Sequence, residues 1–173
     1  MHVQDGGDRP VARFREAIGA YRATGNELYV PHTMSLLATA QHRSGDVTGA
    51  LETVLTTLEN TEATGTRLWD PELHRLKGEL LLAQDPGAAP AAEAALRHAI
   101  DVARGQRTKS WELRAAASLA QLLARQGRRS EARETLADVY GWFTEGFDTA
   151  GRAPNCRPIT VTTGISAFAN ACR

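Results

Sequence analysis

Three bulky aromatic residues, Tyr29, Trp69 and Trp111, recur 40 and then 42 residues apart, each at the expected mouth of an amphipathic helix. A period of that length points to one small unit used repeatedly, since a lone pair of helices cannot bury its apolar faces and must be shielded by the next pair. A second signature follows the same logic. Gly45 followed by Ala50 recurs as Gly127 followed by Ala132, the same offset of five. Glycine accepts the left-handed conformation just past a helix end, and a small alanine lets the next helix approach its partner closely.

Between these marks, apolar residues follow helical spacing up to Phe143, and strand alternation is almost absent before the tail. Phe14, Ile18 and Tyr21 form one face of a first helix that should fray near Gly25. Met34, Leu37 and Gln41 begin a second, closed by Gly45. Asp46 stands where an N-cap is wanted, and Leu51, Val54, Leu55 and Leu58 make the stripe of a third. Asp70 followed by Pro71 predicts the next start, with Asp70 as the cap and Pro71 at the position whose missing N–H costs nothing. Leu73, Leu76 and Leu80 continue that helix, and the chain must turn between Asp85 and Pro90. Leu96, Ala99 and Ala103 mark a fifth helix. Leu113, Ala116, Ala120 and Leu123 mark a sixth, ending at Gly127, and Leu136, Val139 and Phe143 belong to a seventh. The expected fold class is all-α, a stack of helix hairpins.

The pattern resembles a tetratricopeptide-type repeat array. In the third pair Leu119, Ala120, Leu123, Gly127, Ala132, Leu136 and Val139 stand in the order that repeat asks for, and in the first Met34, Leu37, Ala38, Gly45, Ala50 and Val54 do. The middle pair keeps Gly78 and Leu81 but sets Lys77 where an apolar residue is expected, and about five extra residues lengthen its turn. Spacings of 40 and 42 match the longer-repeat variety found in bacterial regulators. More narrowly, the strings WDPELHRLKGELLL (69–82), KSWELRAAASL (109–119) and VYGWFTEGFDT (139–149) resemble the C-terminal repeats of bacterial signalling proteins in which an AAA- or STAND-type ATPase module precedes the repeats, often with a cyclase or LuxR-type DNA-binding domain. The resemblance covers residues 9–149 and implies a right-handed superhelical solenoid of helix hairpins.

Residues 1–8 are expected to be disordered. Beyond Thr149 the likeness stops: Pro154 and Pro158 break helix, Ile159–Ile165 is β-prone without a partner strand, and 150–173 reads as an irregular tail.

Function classes are narrowed by what the residues do not offer. Lys plus Arg and Asp plus Glu are 20 each, so no net field draws the chain to nucleic acid or an anionic membrane. No apolar run approaches the roughly 20 residues of a spanning helix, and the first ten residues hold no apolar signal core. The two cysteines, Cys156 and Cys172, both lie in the tail, which fits a reduced, cytoplasmic setting. There is no phosphate-cradling glycine loop and no nucleophile elbow. The five histidines are scattered, with His74 and His98 read as half-exposed helix residues. The expectation is a protein that is not an enzyme and needs no cofactor or metal, although a longer parent could carry ATPase or nucleotide cyclase activity. The basic turn Arg125, Arg128, Arg129 and Arg133 is interleaved with Glu131 and Glu134 and reads as a solvated helix junction. Trp69 and Trp111 read as packing between repeats, and Trp142 with Phe143 as a seal on the last helix.

The resemblance also implies a concave groove lined by the first helix of each pair. Carried over position by position, it comprises His32, Ser35, Thr39, His42 and Arg43, then Glu72, Arg75 and Glu79, then Arg114, Gln121 and Arg125. This mixed polar surface with a cationic bias suits an acidic peptide or a C-terminal carboxylate, or it packs against a neighbouring domain. Two functions follow as expectations. One is a non-catalytic interaction and regulatory module, the C-terminal sensing or docking part of an ATPase- or cyclase-type signalling system. The other is the effector-binding domain of a LuxR- or MalT-type transcriptional regulator. The groove reading also makes Arg75 a surface residue whose truncation leaves stability within about 0.5 kcal/mol.

Overall fold

The computed structural model of the chain describes residues 5–25 and 27–142, with side chains from residue 11 onward. Seven helices follow one another in these residues: α1 (Asp5–Arg22), α2 (Val30–Arg43), α3 (Val47–Thr64), α4 (Asp70–Gln84), α5 (Ala89–Gly105), α6 (Lys109–Arg125) and α7 (Arg129–Tyr140). The described residues are all-α. A single 3-10 turn, Pro86–Ala88, interrupts the sequence between α4 and α5. The chain divides into two compact units, one ending at Ser118 and one beginning at Leu119. Phe143 and the tail from 150 lie outside the described residues.

Within the first unit each helix packs on its neighbour in sequence, α1 on α2, α2 on α3, α3 on α4 and α4 on α5, and α2 also touches α4. Val11, Ile18 and Leu37 join α1 to α2. Ala38, Ala50, Leu51, Val54, Leu73, Leu76 and Leu80 form the core shared by α2, α3 and α4. In the second unit Leu119, Ala120, Leu122, Leu123, Ala132 and Val139 are buried.

The glycine turns are two copies of one design. After α2, Gly45 takes φ +92 and Asp46 N–H donates to the Gln41 carbonyl; after α6, Gly127 takes φ +81 and Arg128 N–H donates to the Leu123 carbonyl. This is the Schellman closure, in which the left-handed residue turns the chain so that the next N–H reaches back to a carbonyl the helix leaves open. Asp46 then caps α3 by accepting from Gly49 N–H at 2.9 Å. The same closure ends α5, with Thr108 N–H donating to the Ala103 carbonyl, but there the left-handed residue is Arg107, at φ 57. The middle hairpin departs from the design. Asp85 instead caps the 3-10 turn through Gly87 N–H, and Pro90 sits in the first turn of α5.

Four expectations need correction. Helix α1 begins at Asp5, within the stretch 1–8 read as disordered. Asp70 does not cap α4: Trp69 holds the cap position without a side-chain bond, and Asp70 is the first helical residue, buried. Leu55 is exposed, because the buried arc of α3 runs through Ala50, Leu51, Val54, Thr57 and Thr61. The hydroxyls of Thr57 and Thr61 are satisfied by carbonyls of their own helix, so threonine fits that arc. Trp142 is largely exposed, so it is not the buried seal expected on the last helix.

At Gly78 helices α4 and α5 meet closely. A Cβ there would stand 2.7 Å from Leu96 Cγ and 3.0 Å from the Ala92 carbonyl oxygen of α5. Replacing a helical glycine by alanine ordinarily stabilises by about 0.5–1 kcal/mol. Gly78→Ala should instead cost roughly 1–3 kcal/mol, the range for overpacking. Arg107→Gly should gain about 1 kcal/mol by relieving the left-handed backbone. Urea unfolding of the two variants checks both signs.

Candidate functional site

The N-terminal ends of α2, α4 and α6 are built on one plan and meet in one place. Tyr29 and Trp69 occupy the cap positions of α2 and α4, each followed two residues later by proline, Pro31 or Pro71. The backbone repeats as well: Val30 N–H donates to Glu27 and Asp70 N–H to Arg67, Thr33 N–H to Tyr29 and Leu73 N–H to Trp69. Trp111 is the third residue of α6, which starts two residues earlier because no proline stops it. The three rings touch in series. Tyr29 and Trp69 have centroids 6.1 Å apart, and Trp69 meets Trp111 edge-on at 5.7 Å. His32 stacks on Trp69 at 4.3 Å, and the Arg114 guanidinium lies 5.3 Å from the centre of the Trp111 ring. Each such pair adds on the order of 0.5–1.5 kcal/mol beyond its buried area.

Three residues after each aromatic stand His32, Glu72 and Arg114, one position in three successive units. Glu72 and Arg114 are joined at 2.6 Å. Glu72 also accepts two bonds from Arg75, both at 2.8 Å, and Arg75 reaches on to Glu79. Ser118 donates to Glu79 at 2.7 Å and accepts from Arg75 at 3.4 Å. The network is unevenly wet. The side chains of Glu72 and Arg75 are 7% and 11% exposed, those of Glu79 and Arg114 42% and 56%. Burial works against the Arg75 charge, but its hydrogen bonds to Glu72 and Glu79 and the charges of those carboxylates outweigh it and hold the guanidinium more firmly protonated than usual. Two carboxylates and two guanidiniums cancel.

The groove residues therefore separate into groups. Glu72, Arg75, Glu79 and Arg114 are brought together, and they bind one another. Ser35 is buried, its hydroxyl donating to the His32 carbonyl, and Thr39 bonds the Ser35 carbonyl in the same way. His42 and Arg43 are exposed in the last turn of α2, where cations suit the helix dipole. Gln121 and Arg125 belong to the second unit. Ser118, a full member of the network, carried no signal beyond lying seven residues after Trp111. In the basic turn, Arg128 pairs with Glu131 at 2.6 Å.

A second tie holds the same end of α6, in its first turn. Glu112 is buried and accepts from Arg104 of α5 at 2.8 Å and from Lys109 at 2.7 Å. Burial alone would raise its carboxyl, but those two cations hold it below the ordinary range. Its contribution to stability is therefore complete above about pH 4.5 and is lost as the pH falls further. Among the described residues no group of three or more His, Cys, Asp or Glu is placed to hold a metal ion, and no helix is long and apolar enough to cross a membrane.

No family model, curated protein or solved structure matches the chain.

The network overturns the expectation for Arg75. Arg75→Ala would leave Glu72 buried with Arg114 as its remaining cation, and removal of one partner from a buried pair costs about 3–5 kcal/mol. A loss near 3 kcal/mol is expected, whereas Arg114→Ala, at the wet edge, should cost about 1 kcal/mol or less. Denaturant midpoints measured at low and high salt distinguish the two, because only the second should shrink with added salt.

Proposed function

We propose that the chain is a right-handed tetratricopeptide-type solenoid acting as a non-catalytic protein-interaction module, the docking or sensing part of an ATPase- or cyclase-type signalling system. The observation that carries this reading is the helix-start plan repeated at Tyr29 and Trp69 and joined to Trp111 through a continuous ring column. A chain that spends its aromatics on joining one unit to the next is made to present a surface, not to enclose a reaction. The charged groups support the same view. Arg75, Glu72, Glu79 and Arg114 are committed to one another, so they position helices instead of serving as acid, base or nucleophile.

Recognition then falls to polar side chains of the first helices that remain at the surface, His42 and Arg43 foremost. The Arg43 charge favours an acidic protein segment over a basic one. The partner implied by the resemblance is an ATPase or cyclase module of the same system, in the cytoplasm, and it would act by binding one state of that module more tightly than the other.

The test is a binding measurement with a purified ATPase or cyclase module encoded beside this chain. The natural chain and a His42→Glu, Arg43→Glu variant are compared by calorimetry, with circular dichroism melting as the control for folding. An affinity at least tenfold weaker in the variant, with an unchanged melt, supports the reading. Equal binding by both, or none by either, overturns it.

A further inference from the structure

His74 of α4 and His98 of α5 meet across the middle hairpin, their rings edge to face with centroids 4.3 Å apart. Two imidazolium charges at that distance repel strongly wherever water screens them poorly. The surroundings treat the rings unequally. His98 is exposed, while His74 is half-buried and has Lys77 nearby on its own helix. Asp70, one turn before His74, is buried with Oδ1 unpartnered, and its charge interacts with His98. Around Asp70 stand Thr61 and Glu62 of α3 and Arg67 of the turn into α4.

His98 stands in water and within reach of the Asp70 charge, whereas burial, His98 and Lys77 all oppose a charge on His74. We propose that this contact is a proton-sensitive latch, closed while His74 is neutral and loosened when that ring takes up a proton.

Burial, then His98 and Lys77, hold His74 down at about 4 against an ordinary 6.5. The sign follows from linkage. Above pH 6.5 neither folded nor unfolded chain protonates this ring, and nothing is lost. As the pH falls from 6.5 toward 4 the unfolded chain takes up a proton that the closed hairpin refuses, so stability declines. Asp70 works in the opposite direction. Burial raises its carboxyl, so the folded chain takes that proton more readily and part of the decline is offset.

The test uses the full chain. Urea unfolding at pH 7.5 and pH 5.0 should give a lower midpoint at pH 5.0 for the natural protein. The loss should be smaller in His74→Gln and larger in Asp70→Asn. Nitrogen-15 correlation spectra of the histidine rings read the natural protein directly, without any variant. The His74 ring should stay neutral at pH 5.0, and His98→Gln should move its titration upward. A His74 ring that titrates near 6.5 in the natural chain, or identical pH dependence in the natural chain and His74→Gln, would overturn the latch.

Discussion

Contact between the helix starts governs the first unit. Trp69 touches Tyr29 on one side and Trp111 on the other, and His32 lies flat against it. No single helix could bury so large a ring; it is shielded because the preceding and following starts arrive beside it. With the starts fixed, the residues farther along each helix fall into register. Ala38 and Gly78, nine residues after Tyr29 and Trp69, are the small buried positions, and at Gly78 the α5 backbone comes so close that even a methyl group has no room. Ala120 stands nine residues after Trp111 and is buried in its own unit. Aromatic at the start and small residue in the middle are thus one geometric requirement, set by helices that are held together at one end and must remain close along their length.

The ion network follows from the same register. A residue three positions after an aromatic lies on the same helical face, so rings in contact bring Glu72 toward Arg114. Buried charges contribute less to stability than to choosing one arrangement, since a wrong neighbour leaves a charge uncompensated. Sliding α6 by one turn would set Ser110 or Ser118 in place of Arg114 and strip Glu72 of one of its two cations. The apolar contacts between these helices tolerate small shifts; the charges do not.

Much of this was legible in the sequence, and the parts that were not share a cause. Glycine turns, proline starts and the seven helices are dictated by local backbone preferences, and Gly45, Gly127, Asp46 and the ring column were readable for that reason. Asp70 was misplaced by one residue because an aromatic took the cap position, where a carboxylate is the usual choice. Burial of Arg75 had no local mark at all. Glu72, Arg75 and Glu79 at spacings of three and four are what a solvated helix face displays, and only the arrival of Arg114 and Ser118, some forty residues later in the chain, closes Glu72 and Arg75 off from water. The contact of His74 with His98 likewise depends on how α4 and α5 slide along each other, which the unusual turn at Asp85–Ala88 sets and the repeat does not.

The same distinction bears on what the groove can recognise. A ligand's carboxylate reaching Arg75 would have to displace Glu72 or Glu79, leaving a carboxylate in a place where its side chain is nearly closed to water, as it is for Glu72. That exchange replaces one ion pair by another and strands a charge, so it favours the unbound state. Arg114 is wetter, but its pairing with Glu72 and its place over Trp111 hold it in two contacts at once. Arg75 and Arg114, two of the arginines that made the groove look cationic in the sequence, are therefore scaffold. Under the proposed interaction role, a partner would be read by groups whose withdrawal strands nothing, and in the first unit those are the solvent-facing ends of the first helices, such as His42 and Arg43, rather than the charged middle.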